Sequence, residues 1–314
     1  MSRSGVVSPP GGQYWAGSMF SRNAVGSSVL SAFLLSACGG EPAAKAPGPP
    51  PAASPAPAVP TVVAAPPAAP ATTVAAKPEP PAPSAPVHWG YTGEEGPAHW
   101  GDLSPDFALC KSGAAQTPVD LPAKVAPSAA LPPLEFAFGK VPVRILNNGH
   151  TVQVNVDDGA TTRVHGETWK VAQFHLHGPS EHTVAGKATA LELHLVHKND
   201  KGELLVVGVF IVEGQPNAAL APYFDHAPSE VGKEPTTVPD AFIDLAAVLP
   251  KRRAYYHYTG SLTIPPCTEG VEWYVLAAPL EASRAQIEAF RAAVHGDTAR
   301  PVQPLGDRKI VERL

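Results

Sequence analysis

No run of eighteen apolar residues occurs in the 314-residue chain, so no segment has the length and hydropathy of a membrane-spanning helix. Charge is scarce: Asp, Glu, Lys and Arg make up 16 % of the residues, against about a quarter in an ordinary globular protein. Lys and Arg total 23 against 28 Asp and Glu, and no basic block appears, which argues against a nucleic-acid partner. Only three cysteines are present, which excludes a four-cysteine structural metal site. The 27 glycines show no period of three, which excludes a collagen-like chain. Proline is the exception, at 38 residues of 314, against an average usage of about 5 %.

The prolines are concentrated. Residues 41–86 hold 16 Pro and 16 Ala in 46 positions, a composition that cannot bury enough apolar surface to offset its ordering entropy. Residues 39–86 therefore read as a semi-rigid polyproline-II tether, reaching roughly 140 Å if fully extended. Upstream, Arg22 precedes an apolar, small-residue run from Ala24 that ends in Leu35-Ser36-Ala37-Cys38-Gly39. A short apolar stretch closing on small residues is the pattern of a secretory signal. Leu-Ser-Ala-Cys also resembles a bacterial lipoprotein processing box, in which Cys38 would be acylated. Residues 1–38 are thus the expected signal region, with Met19 placed to start a leader of ordinary length and residues 1–18 an upstream mis-start. The expectation is an exported protein of the periplasm or cell envelope, held to a membrane by lipid on Cys38. An ordinary cleaved signal with an incidental cysteine is the alternative. With Cys38 lipidated, Cys110 and Cys267 remain, and an exported chain oxidises such a pair; two buried free thiols are the alternative. A bridge over that span would contribute on the order of 5 kcal/mol at most in the chain-entropy model.

Residues 87–314 are long enough for one sizeable core, and their pattern is that of strands. Segments 141–145, 151–156, 168–177, 189–197, 204–212, 254–259 and 271–278 are rich in Val, Ile, Thr and aromatic residues. Several are punctuated by turn signals such as Asn147-Asn148-Gly149 and Asp157-Asp158-Gly159. Helical signals are few. Ser283 and Gln286 form a capping-box pattern ahead of Ile287, Phe290 and Val294. Asp240 is read as the cap of a short helix through Phe242 and Leu245. The class expected is β-dominated (mixed α/β), with a few short peripheral helices.

The chemistry concentrates in two apolar strands. Gln173-Phe174-His175-Leu176-His177 places three polar side chains on one face and two apolar ones on the other. A His-x-His pair alone is a weak signal. It is sharpened by Leu191-Glu192-Leu193-His194-Leu195, which puts Glu192 and His194 on one face in the same way. A hairpin through 178–187 would bring His194 beside the first pair. Three neutral imidazoles leave a tetrahedral zinc one open position, the pattern of a catalytic rather than a structural site. The plain alternative is a set of core histidines bonded to Glu192 and Glu181. Gln173 and Glu192, placed as outer acceptors for ligand rings, tip the balance toward the metal. His182 falls outside this set, and His197 has the opposite strand parity to His194.

Beyond that pattern lies a specific resemblance, running in order over residues 88–314. His88-Trp89-Gly90-Tyr91, His99-Trp100, Gln116 to Asp120, Asn147-Asn148-Gly149-His150, Gln173 to His177, Ser180 to Val184, Glu192 to His197, Gly260 to Cys267 and Arg300 to Leu305 are together similar to the bacterial α-carbonic anhydrases. The resemblance implies a single domain on a large, mostly antiparallel, twisted central sheet. It implies zinc held by His175, His177 and His194, with Gln173 and Glu192 orienting ligand rings. Thr263 would accept a hydrogen bond from zinc-bound hydroxide and donate one to Glu181. Val196, Val206 and Leu262 would wall the pocket for the nonpolar substrate. The implied reaction is reversible hydration of carbon dioxide to bicarbonate and a proton, with His150 as proton shuttle. Cys110 and Cys267 fall where extracellular members carry a disulfide, next to the Thr263 loop.

Three departures stand out. Ile264 replaces a threonine usual in the family, removing a hydroxyl near substrate and product and bearing on bicarbonate release and on any side esterase activity. Gly178-Pro179 replaces a longer loop of animal members. Thr298 stands where asparagine is common. A non-catalytic binding module on the same fold is the competing function class, and such relatives typically lack one or more ligand histidines. The oligomeric state is left open, a homodimer included.

Overall fold

The computed structural model describes residues 87–125 and 127–314. The signal region, Met19, Cys38 and the tether lie outside the described residues. No helix among the described residues is long and apolar enough to cross a membrane.

Thirteen strands are described: β1 (Asp120–Leu121), β2 (Glu135–Ala137), β3 (Lys140–Asn147), β4 (Val152–Asn155), β5 (Thr161–Val164), β6 (Glu167–His177), β7 (Thr183–Val184), β8 (Leu191–Lys198), β9 (Leu204–Glu213), β10 (Thr236–Asp244), β11 (Tyr255–Ser261), β12 (Glu269–Ala282) and β13 (Val311–Arg313). The helices are short: α1 (Trp100–Leu103), α2 (Leu109–Ser112), α3 (Ala221–Asp225) and α4 (Arg284–Ala293). Eleven strands form one sheet whose spine runs β10-β3-β4-β6-β8-β9-β12-β11-β13. Its pairings are antiparallel except that of β9 with β12. This is the large, mostly antiparallel sheet with few helices expected of the family.

The two faces of the sheet bury different clusters because side chains alternate along each strand. Phe174 and Leu176 of β6, with Leu191, Leu193 and Leu195 of β8, point into the larger cluster, which α3 and α4 help to cover. Burying each such side chain contributes roughly 1.5–3 kcal/mol. Alternate residues of the same strands, His175, His177, Glu192 and His194, are therefore forced onto the other face. There Val206, Tyr258, Val271 and Trp273 form a second cluster. His197 shares the parity of Leu195 and is fully buried on the first face, bonded to Thr162 Oγ1 and the Leu195 carbonyl and stacked near Phe138.

The capping box forms: Ser283 accepts from the Gln286 amide, and the Gln286 side chain accepts from the Ser283 amide. The helix expected after Asp240 does not form. Those residues lie in β10, where Phe242, Ile243 and Asp244 pair with Pro142, Val141 and Lys140 of β3. Asp240 sits at φ 57° between two paired stretches whose register shifts, a local kink compatible with Asp. Edge pairing to an existing sheet outweighs a weak capping signal over so short a segment.

Candidate metal centre

The register of β6 against β8 sets His175 opposite His194 and His177 opposite Glu192. The ring centroids of the three histidines lie 4.8–5.3 Å apart, and one nitrogen from each falls within 4.8 Å of the others. Each ring is oriented by a different acceptor. His175 Nδ1 is 2.8 Å from Gln173 Oε1. His177 Nδ1 is 2.6 Å from the carbonyl of Thr298. His194 Nε2 is 3.0 Å from Glu192 Oε1. These acceptors draw the ring N–H outward, leaving Nε2 of His175, Nε2 of His177 and Nδ1 of His194 with lone pairs turned inward.

A conflict results. The two Nε2 atoms of His175 and His177 face each other at 3.1 Å, yet both ring protons are committed elsewhere. Two acceptors at that distance repel unless a cation lies between them. Tetrahedral zinc with Zn–N bonds of about 2.0–2.1 Å would space its nitrogens by roughly 3.3 Å, so the residues present fit such an ion. Burial also holds the three imidazoles neutral. His175 lies well below its ordinary range, through burial and then its two histidine neighbours; His177 is pushed down to about 4, and His194 is lowered, both chiefly by burial. Neutral rings are the form that ligates.

Glu192 is fully buried and bears three donors: the His182 amide at 2.8 Å, His182 Nδ1 at 2.7 Å and His194 Nε2 at 3.0 Å. Burial alone would raise its carboxyl, but the electrostatic pull and hydrogen bonds of the His182 and His194 rings prevail and hold it well below the usual carboxylate range. Gly208 faces His194 across β9; a Cβ there would stand 3.0 Å from Glu192 Oε1, so the glycine leaves room for the carboxylate.

Glu181 approaches the inward nitrogens of His177 and His194. Its Oε1 accepts from the Arg300 amide at 2.9 Å. Its Oε2 is 3.4 Å from His177 Nε2 and 3.9 Å from His194 Nδ1. Burial pushes Glu181 up to about 7 against the opposing effects of His194, the Arg300 amide and the Thr263 hydroxyl. Arg300 is itself buried, with its guanidinium bonded to the carbonyls of Thr117 and Cys110 and set over the Trp100 ring. Cys110 is joined to Cys267, three residues beyond Ile264, so the bridge ties the Thr263 loop to α2, whose Cys110 carbonyl accepts from Arg300.

A cavity of about 80 Å³ opens on His175 and His194, lined further by Val196, Val206, Leu262, Thr263 and Ile264. A space of this size suits a small molecule of few atoms. Gln173 and Trp273 complete its wall, and the second of these is a residue the sequence pattern does not single out. Trp273 meets His194 edge-on at 4.9 Å and donates Nε1–H to the Ser261 carbonyl at 3.0 Å. Its register opposite Val206 puts it there, a relationship between strands 67 residues apart that the local pattern does not carry. His182 and Tyr258, bonded at 2.6 Å, were likewise missed as the support behind Glu192.

His150 sits apart from the three histidines. Its ring lies flat on Trp89, at 3.5 Å between centroids and 5° between planes, and Trp89 packs in the cluster that Ile264 joins. Burial, and then the charge of His88, lower His150 to about 4, well beneath the near-neutral value that shuttling was expected to use.

Residues 95–314 match the family model for eukaryotic-type carbonic anhydrase. The chain is 45 % identical over 210 residues to a carbonic anhydrase of Pectobacterium atrosepticum, covering 67 % of this chain and 84 % of that protein. It is 43 % identical over 216 residues to one of a Nostoc species, covering 68 % and 81 %. Among solved structures, the α-carbonic anhydrase of Thermovibrio ammonificans in complex with sulfanilamide superposes with a TM-score of 0.69 at 43 % identity, over 72 % of this chain and 100 % of that one. The matched region contains the whole histidine centre, and the chain is an enzyme belonging to the α-class, eukaryotic-type carbonic anhydrase family.

Proposed function

We propose that the chain hydrates carbon dioxide reversibly to bicarbonate and a proton, with zinc held by His175, His177 and His194. The observation that carries this reading is the opposed pair of Nε2 lone pairs at 3.1 Å, each set by an outward hydrogen bond. When bound there, zinc would act as a Lewis acid that brings the pKa of a coordinated water to about 7, as is characteristic of carbonic anhydrases.

The chain's own residues do the rest. Gln173, the Thr298 carbonyl and Glu192 hold the rings in their ligating tautomers. Thr263, whose hydroxyl lowers the buried Glu181, would donate its hydroxyl hydrogen to that carboxylate, leaving its oxygen lone pairs to accept only from a correctly placed donor in the cavity. Val196, Val206 and Leu262 present apolar surface to a nonpolar substrate, and Ile264 removes a polar partner for the product. His150 carries the proton toward solvent as a transient holder, since burial against Trp89 disfavours its charged form.

The cellular setting is part of the proposal. An exported, envelope-facing enzyme, anchored by lipid on Cys38 and spaced by the 39–86 tether, is supported by the leader pattern and by the Cys110–Cys267 bridge.

Stopped-flow carbon dioxide hydration by the purified chain, before and after a zinc chelator and after zinc restoration, tests the reading. Hydration that disappears and returns with the metal is the expected result. Zinc bound without hydration would favour a binding module instead.

A further inference from the structure

We propose a second metal-cation site, on the opposite face of the sheet from the histidine centre, in which His257 and Glu272 together ligate a divalent transition-metal ion. Glu272 and Tyr274 alternate along β12 with Val271 and Trp273, which pack in the cluster on the histidine side, so their side chains point to the other face. Strand β11 runs antiparallel to β12 with His257 opposite Tyr274 and Thr259 opposite Glu272. His257 and Glu272 are therefore diagonal neighbours on that face.

Each side chain is held by a bond that fixes the atom it offers. The His257 ring lies flat against Tyr274, at 4.5 Å between centroids and 6° between planes. Its Nδ1 donates to the Trp273 carbonyl at 3.1 Å, which commits the ring proton to Nδ1 and leaves a lone pair on Nε2. Glu272 accepts the Thr259 hydroxyl on Oε1 at 3.0 Å and turns Oε2 toward His257, where it stands 3.4 Å from Nε2. Two acceptors thus face each other across the spacing of two ligands on one ion. Tetrahedral bonds of about 2.0–2.2 Å to nitrogen and oxygen set such atoms roughly 3.4 Å apart.

The surroundings suit a hydrated ion. A cavity of about 320 Å³ opens on the pair and is lined also by His165, Glu167, Trp169 and Glu203, which leaves room for coordinated water. Trp169 is 5 % exposed, and its indole Nε1–H is buried with no acceptor among the described residues. Such an orphan donor is costly, and a water held in the shell of an ion supplies the acceptor that a bare ion pair does not. Glu167, Glu203 and Glu272 bring three carboxylates to the cavity. The amine of Lys201 lies 3.1 Å from Glu167 and 3.9 Å from Glu203, so negative charge remains in excess for a cation. Imidazole with carboxylate is a donor set for zinc, nickel or copper. Two protein ligands completed by water make a weak site, filled when metal is in excess and emptied by dialysis that leaves the central zinc in place.

The test uses the full-length, zinc-loaded chain with nickel as the probe. Titration calorimetry should show nickel binding that is abolished in His257→Gln and weakened several-fold in Glu272→Gln, with zinc content the same in all three proteins. Nickel should also raise the thermal midpoint of the parent, since an ion bound only by the folded chain stabilises it, and leave the midpoint of His257→Gln where it is. In the parent, paramagnetic nickel should broaden the ring protons of His257 before those of any other histidine. Nickel binding and a midpoint shift that survive in His257→Gln overturn the site, as does broadening that begins at another histidine. No nickel bound by the parent at millimolar concentration reduces His257 and Glu272 to a simple ion pair and overturns it equally.

Discussion

The backbone carbonyl of Thr298 accepts the Nδ1–H of His177 at 2.6 Å, across 121 residues of sequence. The Thr298 hydroxyl accepts the amide of Gly178 at 3.2 Å, and two residues on, the Arg300 amide bonds Glu181. One extended segment thus orients a ring of the histidine cluster and a buried carboxylate. Because the ring is held by a carbonyl, this contact does not depend on the side chain at 298, where the family commonly has asparagine.

Thr298→Val should therefore retain zinc at parental stoichiometry, measured by metal analysis. It should lower stability by about 1–3 kcal/mol, the cost of leaving the buried Gly178 amide without an acceptor, read from urea unfolding. Loss of zinc would mean that the side chain, and not the carbonyl, sets the ring.

His194→Ala removes one of three neutral donors and should abolish hydration and zinc retention together. Metal content and stopped-flow rate on the same sample check this. Undiminished hydration would rule out the ligand assignment.

Gln173→Leu keeps the three histidines but frees His175 Nδ1. Loss of such an outer partner weakens metal affinity by about 10–100-fold, which competition against a zinc chelator measures. The effect should lie in zinc affinity, with the fold retained as judged by circular dichroism.

Residues 87–314 should show no free thiol before reduction and two after it, counted under denaturing conditions, since Cys110 and Cys267 are joined. Paired replacement by serine should cost about 2–5 kcal/mol of stability.

His197 supplies a pH signature separate from the metal centre. Burial holds it at about 4 against an ordinary value of 6.5, so the unfolded chain binds its proton first as pH falls. The stabilisation is present in full above pH 6.5 and is lost between 6.5 and about 4, amounting to roughly 3 kcal/mol for this fully buried group. His197→Gln should flatten that part of the stability curve by about one proton, measured by urea unfolding at a series of pH values.

Much of the centre was legible because strand alternation is a local rule. The parity of Gln173, His175 and His177 against Phe174 and Leu176, and of Glu192 and His194 against their leucines, follows from a period of two and the need to bury the apolar set. The Ser283 capping box is local in the same sense. The Asp240 helix failed because its outcome depended on a distant partner, strand β3.

The sequence by itself determined the β class, the two strands that carry the histidines, their shared face and the family. What closes the site was decided only in three dimensions: Trp273 against His194, His182 and Tyr258 behind Glu192, the Thr298 carbonyl on His177, and His150 lying on Trp89 beside His88. Those are contacts between segments far apart in the chain, several through backbone groups that any residue type supplies. Side-chain identity therefore carries no trace of them until sheet register and loop packing set the distances.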